Sequence, residues 1–164
     1  MGTNNLLMHR DTCFMDKAIA LANASSRSGR NGPFGAVVVK GDRLLGEGVN
    51  HVVQRRDPTA HAEVMAIRAA CRTLRSHSLD GCTLYSSCEP CPMCLAAAYW
   101  ARIERIVFAC TRRDAAEAGF DDDAIYRELP LPWPRRQMKF RQIRRRAGLK
   151  TLEIWKNNPA KRPY

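Results

Sequence analysis

Two short stretches about thirty residues apart, His61-Ala62-Glu63 and Pro90-Cys91-Pro92-Met93-Cys94, constrain this chain more than any other feature. Together they offer one imidazole, two thiols and one carboxylate. A fold that uses them as a set must bring two distant segments to one point. Cys91 and Cys94 lie three apart, so at the start of a helix their sulfurs share a face. His61, Cys91 and Cys94 match the three protein ligands of a catalytic zinc site, whose fourth position is left for water. Glu63 stands two residues from the histidine, too close to be spent easily on the same metal. It is the candidate for moving protons.

A second arrangement draws on the same residues. Cys88, Cys91 and Cys94 fall at C-x-x-C-x-x-C spacing, which opens like an iron–sulfur motif, but position 98 is Ala98 where a cysteine would be needed. Three cysteines and His61 would make a closed, structural zinc site. Against it, Cys88 ends an alternation of Cys82, Leu84, Ser86 and Cys88 that reads as a strand, before Pro90 begins the next helix.

The 164 residues are enough for one domain with a real core, spanning 1–164. No apolar run approaches ~20 residues, and no signal-peptide pattern opens the chain, so a membrane span is not expected. Seven cysteines without a secretory signal suit a reducing compartment. Cys13, Cys71, Cys82 and Cys110 sit among apolar neighbours and are expected to be buried, inert side chains. The net charge of +11 is concentrated late, from Arg135 and Arg136 through Arg144-Arg145-Arg146 to Lys161 and Arg162. Such a run is either a solvated surface or a phosphate-contacting patch, and no aromatic ladder accompanies it.

Helical spacing marks residues 11–27, and two β-rich runs at 33–40 and 44–49 flank Gly41-Asp42, a hairpin signal. Asp57-Pro58 reads as a helix N-cap leading into residues 64–74. Strands are predicted at 83–86 and 106–109, with a helix at 90–102 between them. Another helix is predicted from Asp122 or Asp123, a further strand or extended segment at 138–143, and a last helix at 150–156. That order gives a three-layer α/β/α sandwich around a mixed sheet. Both metal-bearing stretches then begin helices, where the dipole favours negative charge and lowers thiol pKa values.

On these residues the chain resembles the cytidine-deaminase-like zinc-dependent deaminases, whose nucleobase enzymes carry H-x-E followed by P-C-x-x-C. Within that superfamily it is similar to the bacterial guanine deaminases. The resemblance covers nearly the whole length. It is most specific at residues 33–38, 57–64, 87–94, 99–102 and 114–122, and the Ala-Gly-Phe-Asp-Asp run of 118–122 with Tyr164 narrows it to guanine. It implies a five-stranded mixed sheet, one zinc ion per subunit and a cytoplasmic homodimer that hydrolyses guanine to xanthine and ammonia. It also implies that Asn50 hydrogen-bonds the purine, that Phe34 and Trp100 wall its slot, and that Asp122 reads its edge. Tyr164 would close the pocket as part of a lid at residues ~135–164, exchanged between subunits. The alternatives at this point are a deaminase of a nucleoside or related base, a tRNA adenosine deaminase, or a structural zinc module. The basic late region is the one departure from the family pattern, and it leaves a nucleic-acid partner open.

Overall fold

Gly35–Lys40 and Arg43–Val49 form β1 and β2, paired antiparallel about Gly41-Asp42. Gly41 takes φ +57, a left-handed backbone that a tight hairpin needs and glycine adopts without a Cβ clash. The computed structural model describes residues 2–163. Thr83–Cys88 is β3, antiparallel to β1 on its other side, and Arg105–Cys110 is β4, parallel to β3. The sheet order is β2-β1-β3-β4.

Alternation along these strands builds two cores. Val37, Val39 and Tyr85 face α1 (Gly2–Ser28) and pack on Ala18, with Phe14 and Leu21 beside them. Ala36, Val38 and Leu84 face the other way and pack on Ala62, Ala66 and Ala70 of α3 (Ala62–Leu74) and Ala98 of α4 (Pro92–Trp100). Helices on both faces of a mixed sheet make the expected α/β/α sandwich.

Tight approach of α3 depends on glycine. A Cβ at Gly48 would lie 2.1 Å from the Ala62 carbonyl oxygen and 2.5 Å from the Ala66 nitrogen, both backbone atoms that cannot swing aside. Gly48→Ala therefore has to push α3 off the sheet at the turn that carries His61 and Glu63. A loss of about 1–3 kcal/mol of stability is expected, together with reduced zinc content, read by melting and by metal analysis of one preparation.

An ion pair ties α1 to the sheet. Arg105 donates Nη1 and Nη2 to the two Asp11 carboxylate oxygens, each at 2.7 Å, and Tyr85 donates its hydroxyl to Asp11 at 2.5 Å. The Arg105 guanidinium first, then the Tyr85 hydroxyl, hold the Asp11 carboxyl down to about 2, while burial pushes Tyr85 up to about 12. Asp11 is 24% and Arg105 36% exposed, so solvent screens the pair in part. A depressed carboxylate stabilises the fold above its unfolded pKa and loses that contribution as pH falls through the folded value. Urea melts are thus expected to show about 2 kcal/mol present above pH ~4 and vanishing toward pH ~2, a dependence absent from Asp11→Asn.

The chain divides into two compact units, Met1–Asp123 and Ala124–Tyr164. α2 (Val52–Arg55), α5 (Arg112–Glu117) and the start of α6 (Asp123–Glu128) complete the first. The second carries the rest of α6, a 3₁₀ turn at Trp133–Arg135 and α7 (Arg145–Asn157). Within it, Arg136 donates to the carbonyls of Leu131 and Leu129, and the Trp133 and Phe140 rings stack at 5.5 Å.

Several expectations need correction. The sheet has four strands among the described residues, not five: residues 138–143 alternate like a strand but have no ladder partner. Asp57 does not cap α3. Its Oδ1 accepts from the Thr59 backbone N–H and hydroxyl, closing a turn, and the cap position falls at His61. Cys82 is buried as expected, but Cys13 and Cys110 are exposed, the latter at the end of edge strand β4. None of the cysteines is in a disulfide, and no helix among the described residues is long and apolar enough to cross a membrane.

Candidate active site

His61 and Cys91 occupy the N-cap positions of α3 and α4 with extended backbone, and neither side chain makes a capping hydrogen bond. A cap is usually worth ~1 kcal/mol, so its absence at both helices is a stability cost. The two side chains turn toward each other instead. His61 Nδ1 lies 3.5 Å from Cys91 Sγ and 3.5 Å from Cys94 Sγ, and the three donor atoms all fall within 4.8 Å of one another.

That spacing fits zinc. Tetrahedral bonds of about 2.3 Å to sulfur and about 2.0–2.1 Å to nitrogen put the nitrogen about 3.5 Å from each sulfur. The local chemistry also suits a cation. Cys94 first, then His61, hold the Cys91 thiol down to about 4. Cys94, hydrogen-bonded to Cys91, buried and facing Glu63, is pushed up. A divalent ion would allow both sulfurs to ionise. Cys88 stands apart. It lies on β3, its Sγ is directed 3.5 Å to the Thr111 carbonyl, and it is not in the donor cluster.

Glu63 sits in the first turn of α3, only 6% exposed. Burial, before any other cause, raises its carboxyl above the usual carboxylate range. Its Oε1 accepts from the Ser86 hydroxyl at 3.2 Å and its Oε2 from Cys94 at 3.5 Å. A buried carboxylate beside a metal cluster, not needed as a ligand, is equipped to take up and release protons.

The cluster opens into a cleft of about 360 Å³, lined by Phe34, Asn50, His61, Glu63, Phe120 and Asp122 among others. Asn50 is buried, and its Oδ1 accepts from the Val52 N–H at 3.1 Å. Its amide N–H₂ is therefore the end offered to a ligand. Phe34 and Phe120 meet edge-to-face, ring centroids 5.0 Å apart. Asp122 lies at the same cleft with its carboxyl raised, by burial first and then by the charge of Cys91.

Of the predicted site residues, His61, Glu63, Cys91, Phe34, Asn50 and Asp122 line this one cleft, with Cys94 behind the first three. Trp100 does not. It ends α4, eight residues beyond Pro92 and so about 12 Å along the axis from the ligand end, with 66% of its surface exposed. Tyr164 lies outside the described residues. Sequence reasoning missed Phe120 as the ring facing Phe34, Arg112 on the rim and Ser86 on the carboxylate. The Thr111-x-x-Asp114 capping box was a readable signal for α5, the helix that brings Arg112 there.

The profile of the cytidine and deoxycytidylate deaminase zinc-binding region matches residues 8–110. Guanine deaminase of Bacillus subtilis (strain 168) is 47% identical over 157 residues, covering 96% of this chain and 100% of that protein. An X-ray structure of guanine deaminase from Bacillus subtilis matches with a TM-score of 0.90 over 93% of this chain and 98% of that one, at 47% identity. The tRNA-specific adenosine deaminase of Buchnera aphidicola subsp. Schizaphis graminum is 36% identical over 68% of this chain and 74% of its own length.

Proposed function

The chain belongs to the family of cytidine and deoxycytidylate deaminase zinc-binding domains, and we propose that it hydrolyses guanine to xanthine and ammonia. The likeness to a guanine deaminase over nearly the whole chain is the observation that carries this reading. His61, Cys91 and Cys94 would hold zinc, which would lower the pKa of a water toward ~7 and so supply a nucleophile at neutral pH. Glu63 takes one proton from the attacking water and gives it to the purine ring nitrogen beside C2. It then moves the second water proton, from the new C2 hydroxyl, to the departing amine as that hydroxyl becomes the C2 carbonyl, so one carboxylate serves as base and acid. Atoms balance: the water oxygen bonds to C2, the C2–N bond breaks, and ammonia leaves.

The cleft lining supports a small base as substrate. Asn50 offers N–H donors to a purine acceptor, and the Asp122 carboxylate accepts from a purine N–H. A pair of this kind, with Asn50 buried and Asp122 half-buried at the cleft, rejects bases that leave it unpaired. Phe34 and Phe120 give the flat ring apolar walls. The zinc-loaded protein should be incubated in parallel with guanine, guanosine, cytosine, adenine and a tRNA anticodon stem. Xanthine from guanine is the expected product. Inosine in the tRNA with no xanthine would overturn the reading.

The working form is a cytoplasmic homodimer in which residues ~135–164 act as a lid, Tyr164 included, exchanged between subunits. Exposed apolar surface supports a partner: Tyr99 and Trp100 on α4, and α7, which buries none of its side chains while Leu152 and Ile154 stand open. Trp100 would then serve a slot only through subunit contact. Light scattering on the purified protein should give twice the 18.5 kDa chain mass.

A further inference from the structure

Ser86 occupies the centre of the sheet, paired with Ala36 of β1 on one side and Phe108 of β4 on the other. It is 1% exposed, between Tyr85 and Ser87 on a strand that is buried from Leu84 onward. A hydroxyl there is costly unless it is hydrogen-bonded, and a β-branched apolar residue would suit the strand better. The bonds it makes therefore indicate its role. Its oxygen accepts the Cys88 backbone N–H at 3.5 Å, and its proton is directed to Glu63 Oε1 at 3.2 Å.

Resting on the guanine deaminase reading, we infer that Ser86 is the positioning residue that fixes Glu63 for proton transfer. It holds Oε1 against a rigid strand and so turns Oε2 toward the metal ligands. Cys94 is the other side-chain donor to this carboxylate, on Oε2 at 3.5 Å. Ser86 makes the shorter of the two contacts, 3.2 Å against 3.5 Å. The two oxygens then have different tasks. Oε1 anchors, and Oε2 carries the proton between water and purine. Glu63 has three rotatable side-chain bonds, and a displacement of ~1 Å in such a group costs roughly a hundredfold in rate. Ser86 lies outside both the donor cluster and the cleft lining and acts only through Glu63.

Ser86→Thr and Ser86→Val test this, because the two variants share a shape and differ only in the hydroxyl. Each is assayed with guanine beside the wild type, with zinc content and melting temperature measured on the same preparations. Ser86→Thr is expected to stay within ~3-fold of wild type, while Ser86→Val loses roughly 10–100-fold in kcat with KM within ~3-fold and one zinc per chain. In a Glu63→Gln background the valine should cost nothing further, since the group it positions no longer works. If Ser86→Val does not fold, Ser86→Ala replaces it with the same expectation. Equal kcat for threonine and valine variants would overturn the inference while leaving guanine deamination standing. Zinc loss in step with kcat would also overturn it, showing a structural role. A wild type that makes no xanthine would overturn both readings.

Discussion

Glu63→Gln is expected to keep one zinc per chain and lose roughly 10²–10⁴-fold in guanine turnover, the usual contribution of general acid–base catalysis. Glutamine has the shape of glutamate, and its side-chain carbonyl can still accept from Ser86. It cannot take a proton from water and return it. Zinc should stay because the donor cluster is His61, Cys91 and Cys94, without Glu63. Stability should move the other way. Glu63 is 6% exposed, and burial already disfavours its ionised form. A neutral amide removes that desolvation cost, so the variant should melt at or above the wild-type temperature. Steady-state kinetics, metal analysis and a melt on one preparation test all three statements. More than about a tenth of wild-type turnover would remove Glu63 from the proposed role, given the size of acid–base effects.

The parts of this molecule legible in its sequence are those that local chemistry dictates. Gly41-Asp42 between the β-rich runs at 33–40 and 44–49 marked the hairpin, and the alternation of Cys82, Leu84, Ser86 and Cys88 marked the strand that follows α3. The spacing of His61, Glu63, Cys91 and Cys94 marked the cluster, because three donors and one spare carboxylate have few other uses. What was missed depends on tertiary contact. Asp57-Pro58 has the chemistry of a cap, and only the position of Thr59 shows that the aspartate closes a turn. Residues 138–143 have a strand pattern, but a strand also needs a neighbour with an open edge. Gly48 looks like a weak strand residue until α3 is seen against it, where any Cβ would strike the Ala62 carbonyl. Ser86 is one more small residue in a strand. Its meaning comes from the carboxylate 23 positions away that its hydroxyl reaches. Trp100 was placed by likeness alone, and the nine-residue length of α4 carries it away from the cleft.

Cys94→Ala is expected to remove zinc and with it roughly 10³-fold or more of turnover, since activating water at neutral pH is worth several kcal/mol of barrier. Cys88→Ala is expected to keep both. The two cysteines stand six residues apart and both are buried, so the contrast comes from direction, not from depth. Cys94 lies in the first turn of α4 with its sulfur 3.5 Å from His61 Nδ1. Cys88 lies on β3 with its sulfur turned to the Thr111 carbonyl, and burial pushes its thiol up to about 11, so it stays protonated at neutral pH. A protonated thiol pointing at a carbonyl is a poor candidate for a fourth ligand. The distinction decides the chemistry. Three ligands leave a position for water, whereas a fourth sulfur would close the site and make it structural. Metal content and xanthine formation, measured on both variants, settle the matter. Zinc lost from Cys88→Ala would establish the closed site and end the hydrolytic mechanism. Zinc retained there and lost from Cys94→Ala leaves the open position in which a hydrolase needs its water.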